Sequence, residues 1–226
     1  YKEVYMCLGN HDILVRGGTP SRSNLQFKTS EEKIASIQDF CNTLGNVHLL
    51  EGRIFDNMAG CMGMCDFNVE PHSYGNNKKI IWERKWFDGK HWRYFNQNPS
   101  EIWEHYDKMI TELVEKQPAV MMTHFAPIEV GINAEYRLSP LNTYFYFEGK
   151  KFLDMFDHDA IWVCGHVHDK KICTYVNPNG NTITILCNPN GYPGENRAYA
   201  DTMVIKDGKE TRGSKPTKNE DFIIEI

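Results

Sequence analysis

The chain has 226 residues, 41% of them apolar and 24% charged, with a formal net charge of −5. That length suits one domain with a sizeable core, and the composition is that of ordinary globular protein. No apolar run approaches the roughly 18 residues of a membrane span, no signal peptide is visible, and the acidic balance argues against a partner held through nucleic-acid phosphates. The basic cluster Lys78, Lys79, Arg84 and Lys85 reads as solvated strand edges rather than a nucleic-acid patch.

Cys7, Cys41, Cys61, Cys65, Cys164, Cys173 and Cys187 are odd in number, and four of them sit in apolar, strand-like runs. Buried free thiols in a reducing cytosol fit this better than a disulfide framework, so a cytoplasmic location is expected. Cys61 and Cys65 with His72 nearby suggest zinc, but the paired Cys spacing of a structural zinc site is missing.

In chain order, residues 4–8 form an apolar run that stops at Gly9 and reads as a buried strand. A run with no lead-in is expected to follow an earlier segment. A helix is predicted over 31–44. Thr29 and Glu32 have capping-box spacing, Ile34, Ile37, Phe40, Cys41 and Leu44 make a helical stripe, and Gly45 suits the exit. Residues 47–50 read as a short strand. The stretch 56–78, rich in Gly, Asn and Met, reads as a long irregular loop, a type that is often functional. Residues 80–95 carry three of the five tryptophans and read as a hairpin turning at Asp88-Gly89.

The clearest helix follows. Asn98 is its cap, Pro99 suits the first position, Glu101 completes the box, and the stripe runs through Ile102, Trp103, Tyr106, Met109, Ile110 and Leu113 until Pro118 closes it. Residues 119–123 read as a buried strand, 149–156 as a helix and 160–164 as another buried strand. Runs near 171–176, 182–187, 201–206 and 221–226 read as strands joined by turns such as Asn177-Pro178-Asn179-Gly180. Strand–helix–strand early and mainly strands late make an α/β chain in a single domain.

Three of the apolar strands end alike. Residues 4–8 run into Gly9-Asn10-His11-Asp12, residues 119–123 into His124, and residues 161–164 into Gly165-His166-Val167-His168. In open α/β sheets ligands bind outside the carboxyl ends of strands, so Asn10, His124, His166 and His168 are expected in one crevice. Neutral imidazole suits zinc, iron, manganese or nickel, and an Asn carbonyl is an oxygen ligand. His166 and His168 are two apart, so on extended backbone both rings would point to one side and serve one metal each of a close pair.

These blocks resemble, in order, the third, fourth and fifth sequence blocks of the calcineurin-like metallophosphoesterases. The resemblance spans residues 4 to about 194, where Asn188-Pro189-Asn190-Gly191-Tyr192-Pro193-Gly194 looks like the segment after the last block. It implies a four-layer α/β/β/α sandwich with two divalent ions. Asn10, His124 and His166 would ligate the second metal and His168 the first. His11 would stand near the substrate phosphate as general acid, and Asp12 would orient it and favour its protonated form; the plain alternative for Asp12 is a turn residue. The family's earlier blocks, Asp-x-His and Gly-Asp-x-x-Asp, do not occur ahead of Gly9. The domain over 1–226 is therefore expected to lack its first strand–helix–strand unit.

The expected function is metal-dependent hydrolysis of a phosphomonoester or phosphodiester, with a small-molecule substrate favoured over nucleic acid. The alternative is a non-catalytic scaffold that has lost its metals. Arg16, Tyr192 and Arg197 could meet phosphate oxygens, and the loop 56–78 with the aromatic stretches 82–95 and 136–147 could shape specificity.

Overall fold

The structure, a computed structural model, describes residues 2–15, 27–67, 78–93, 98–129, 140–168 and 170–187 and the backbone of 199–206, 209–212 and 217–218. Strand β1 (Val4–Met6) leads through residues 7–15 towards helix α1 (Ser30–Leu44), which returns to β2 (Val47–Leu49). β1 and β2 pair in parallel as a sheet of two, Val4 opposite Val47. Thr29 caps α1 by accepting the Glu32 amide, and Gly45 leaves it in the left-handed region. Glu32 reaches back to the Lys28 amide at 2.7 Å, one residue earlier than a capping box requires. The expected apolar stripe of α1 is only half used. Cys41 is buried, but Phe40 is 64% exposed and Leu44 46%, because the two-stranded sheet beneath is too narrow to cover the whole face.

The main sheet is mixed. It begins with β3 (Arg53–Phe55) and β4 (Met58–Cys61), then β5 (Val120–Thr123), β6 (Ala160–Cys164), β7 (Lys171–Val176), β8 (Thr182–Cys187), β9 (Tyr199–Lys206) and β10 (Lys209–Arg212), in spatial order β10-β9-β7-β8-β6-β5-β4-β3; β11 (Thr217–Lys218) also pairs with β9. β4, β5, β6 and β8 are mutually parallel, with Met58 opposite Val120, Val120 opposite Ile161 and Ala160 opposite Ile183. The described chain is thus α/β, as expected. The strand expected at 221–226 lies outside the described residues.

Three expectations are corrected. The stretch 56–78 is not one irregular loop: β3 and β4 form a hairpin turning at Asp56-Asn57, both with positive φ, and β4 lies inside the sheet. Gly60 lies within β4 opposite Met122, where a Cβ would meet the Met122 carbonyl oxygen at 2.7 Å. Residues 80–95 are not a hairpin but two short helices, α2 (Lys78–Arg84) and α3 (Phe87–His91). Gly89 is needed there for packing, because a Cβ would come within 2.1 Å of the Trp82 carbonyl oxygen. The helix at 149–156 is one turn, α5 (Lys150–Leu153).

Helix α4 (Pro99–Val114) meets its expectation. Asn98 accepts the Ser100 amide, and Ile102, Tyr106, Ile110 and Leu113 are buried against the sheet, each side chain contributing about 1.5–3 kcal/mol. Trp162, Phe147, Phe152 and Phe156 fill the core beside β6. The cysteines are free thiols, six of them buried, and burial pushes Cys61 and Cys65 well above the ordinary thiol range. His72 lies outside the described residues. Among the described residues no helix is long and apolar enough to cross a membrane.

Candidate metal centre

β5 and β6 are neighbours in the sheet, so their carboxyl ends bring His124 and His166 together. The backbone of His124 is fixed on both sides. Its amide donates to the Met62 carbonyl at 2.9 Å, and its carbonyl accepts the Gly165 amide at 3.0 Å. Met62 is itself held, its amide donating to Glu51 Oε2 at 2.8 Å, while the Tyr106 hydroxyl donates to Glu51 Oε1 at 3.1 Å. A partly buried chain of hydrogen bonds thus runs from α4 to the backbone of a candidate ligand.

β1 is not in the main sheet, yet its following turn still delivers Asn10. Asn10 is 8% exposed, and its Oδ1 faces His124 Nε2 at 2.8 Å. His166 Nδ1 faces the same His124 Nε2 at 3.2 Å, with the two ring centroids 5.0 Å apart. His166 Nε2 lies 3.1 Å from the Tyr144 carbonyl oxygen, in the 3-10 turn Pro140–Tyr144. A carbonyl only accepts, so the His166 proton sits on Nε2 and its Nδ1 carries a lone pair. Phe125 and Phe145 wall the ring at 4.3 and 5.4 Å.

Asn10 Oδ1 and His166 Nδ1 therefore both face His124 Nε2. Without a cation, His124 Nε2–H is the one proton that serves both neighbours. With a cation, all three atoms offer it lone pairs. Ligand atoms about 2.0–2.2 Å from one metal ion stand about 2.8–3.5 Å apart, and the two separations here fall in that span. The donor set fits a borderline divalent metal. It is two imidazoles and an amide; among the described residues no group of three or more His, Cys, Asp and Glu side chains is arranged for a metal.

Electrostatics keep both imidazoles neutral. Burial, followed by the nearby charges of His11 and His168, lowers His124 to about 4. Burial and then His124 hold His166 well below the ordinary histidine range. A neutral ring is the ligating form.

His166 has φ +64°, a left-handed conformation that a non-glycine residue adopts at a cost. This overturns the expectation that His166 and His168 share one side of extended backbone. The turn sends His166 inward, while His168 is exposed, although it remains near enough for its charge to act on both buried rings. His11 is exposed, its ring 5.2 Å from that of Phe87. Asp12 is also exposed, and its Oδ2 accepts the Gly9 amide at 2.8 Å, which is turn chemistry. Among the described residues Asp12 makes no hydrogen bond to His11. Arg16, Tyr192 and Arg197 lie outside the described residues.

Sequence reasoning missed the groups behind Asn10. Asp88, 1% exposed, takes Asn10 Nδ2 on both carboxylate oxygens at 2.9 and 3.1 Å. Burial raises Asp88, opposed by the Asn10 hydrogen bond and by His11. Trp92 Nε1 donates to the Asn10 carbonyl at 2.9 Å. The available signal was Trp82 and Trp86 at helical spacing, which Asp88-Gly89 masked by resembling a turn.

Comparison with known proteins finds no matching family model, no matching curated protein and no matching solved structure.

Proposed function

We propose that the chain belongs to a calcineurin-like phosphoesterase that hydrolyses a phosphomonoester or phosphodiester in a metal-dependent reaction. The observation that carries this reading is that Asn10 Oδ1 and His166 Nδ1 both face His124 Nε2, from three separate sequence blocks. In this reading the finer architecture is the family's α/β/β/α sandwich. Asn10, His124 and His166 would hold one divalent ion (manganese, iron, zinc or nickel), and His168 would contribute to a second.

When bound, such ions supply charge that neutralises the phosphoryl oxygens and activate water as the nucleophile. The chain's own residues do the rest. Burial keeps His124 and His166 unprotonated, and the Tyr144 carbonyl fixes which His166 nitrogen faces the site. His11, exposed beside the convergent atoms, gives its proton to the leaving oxygen as the P–O bond breaks. Its ring rests near Phe87. Asp12 shapes the turn that presents His11 through its bond to Gly9.

A non-catalytic scaffold is the second reading, favoured by the lack of a carboxylate among Asn10, His124 and His166. The test is hydrolysis of a chromogenic phosphodiester with manganese, using protein expressed from its complete reading frame. Activity that is lost in both His124→Ala and His166→Ala supports the enzyme. Activity that survives both substitutions overturns the site assignment.

A further inference from the structure

We propose that Asp88 is a positioning residue that fixes the side-chain amide of Asn10 so that its oxygen, not its nitrogen, meets His124. The inference rests on the reading of Asn10, His124 and His166 as ligands. The two ends of an Asn amide are nearly equal in shape, and only the oxygen can ligate. The proton on His124 Nε2 that serves His166 Nδ1 favours the oxygen while no cation is present, but a cation displaces that proton and the choice with it.

Asp88 removes the ambiguity. Both its oxygens lie on Asn10 Nδ2 at 2.9 and 3.1 Å, and an ionised carboxylate only accepts. A flipped amide would set oxygen against oxygen in a place where Asp88 is 1% exposed and water does not compete. The carboxylate is anchored in turn, Trp86 Nε1 donating to Oδ2 at 3.3 Å. Asn10 is also held from its backbone side by Trp92 Nε1. The close approach at Gly89, where a Cβ would strike the Trp82 carbonyl, seats the helix that carries Asp88. Residues 78 positions apart are joined for one purpose, the orientation of one amide.

The experiment uses the full chain, Mn²⁺ as probe and two readouts. By calorimetry, Asp88→Ala is expected to weaken Mn²⁺ binding by about tenfold to a hundredfold. With no metal present, the ring-nitrogen resonances of His124 are expected to move, because Asn10 Oδ1 is no longer held against Nε2. Asp88→Asn keeps the shape, guards against a folding failure, and is expected to act in the same direction with smaller amplitude.

Asn177→Ala controls for general loosening. It removes buried hydrogen bonds to the Leu153 and Phe156 carbonyls far from the site, and it should lower thermal stability while leaving both readouts unmoved. The proposal is overturned if the metal-free His124 resonances stay in place in both Asp88 variants, or if Asn177→Ala moves them as far. If the Asp88 variants move them while the parent chain binds no Mn²⁺, the positioning role stands and the metal reading fails.

Discussion

The residues that the three motifs supply divide into an inner and an outer set. Asn10, His124 and His166 are wholly or half buried, meet at His124 Nε2, and are fixed by Asp88, Met62, Gly165 and Tyr144. His11, Asp12 and His168 are exposed and sit at the rim. Burial drives protons off the inner imidazoles, which suits ligands. Exposure leaves the rim in contact with water, which suits a group that must exchange protons with solvent. The same residue type takes two roles because its surroundings differ.

Substitution should separate the two sets. His124→Ala and His166→Ala have the largest expected effect, losing both Mn²⁺ affinity and activity by more than the roughly 10–100-fold that an outer partner of a ligand costs. Calorimetry and phosphodiester turnover measure this. His11→Ala should lower turnover by about 10²–10⁴-fold while leaving Mn²⁺ affinity near the parent value. Its loss should be greater for an alkyl than for a nitrophenyl leaving group. Equal loss of affinity in His11→Ala would erase the division between the sets.

A smaller effect concerns the support under His124. Burial raises Glu51 from 4.5 to about 7, against the Met62 and Tyr106 hydrogen bonds that lower it. The folded chain then holds this proton more tightly than the unfolded chain. Stability from this group is therefore full below pH 4.5, falls as pH rises to about 7, and is flat beyond. Glu51→Gln should remove the slope, as measured by urea unfolding at pH 5 and pH 8. The smallest effect is that of Asn98→Ala, which should cost about 1 kcal/mol by uncapping α4 and leave Mn²⁺ affinity unchanged.

The fold was legible where periodicity and caps agreed. Helix α4 declared itself through Asn98, Pro99 and a stripe that buries as read. α1 was legible as a helix, but its stripe overstated the burial, because a stripe does not reveal how wide a sheet lies beneath it. α2, α3 and β4 were misread for one reason. Gly60 and Gly89 signal close backbone approach here, and in sequence that signal looks the same as a turn. At the site, strand-end histidines could be read from the pattern. Asp88 could not, since its partner lies 78 residues away and only the packing of α3 against α2 brings it there. The inward turn at His166 was likewise hidden, because a positive φ at a non-glycine residue leaves no mark in sequence.

The most direct measurement is proton NMR of the Co²⁺-loaded chain, in which protons on ligating imidazoles are strongly shifted. We expect two exchangeable imidazole N–H signals, His124 Nδ1–H and His166 Nε2–H, with the second slow to exchange because it is bonded to the Tyr144 carbonyl. His124→Ala and His166→Ala should each abolish the signal of the substituted ring and, through the lost affinity, weaken or abolish the other. An unshifted spectrum on adding Co²⁺, or both signals persisting in His124→Ala, would contradict the assignment of Asn10, His124 and His166 as a metal centre.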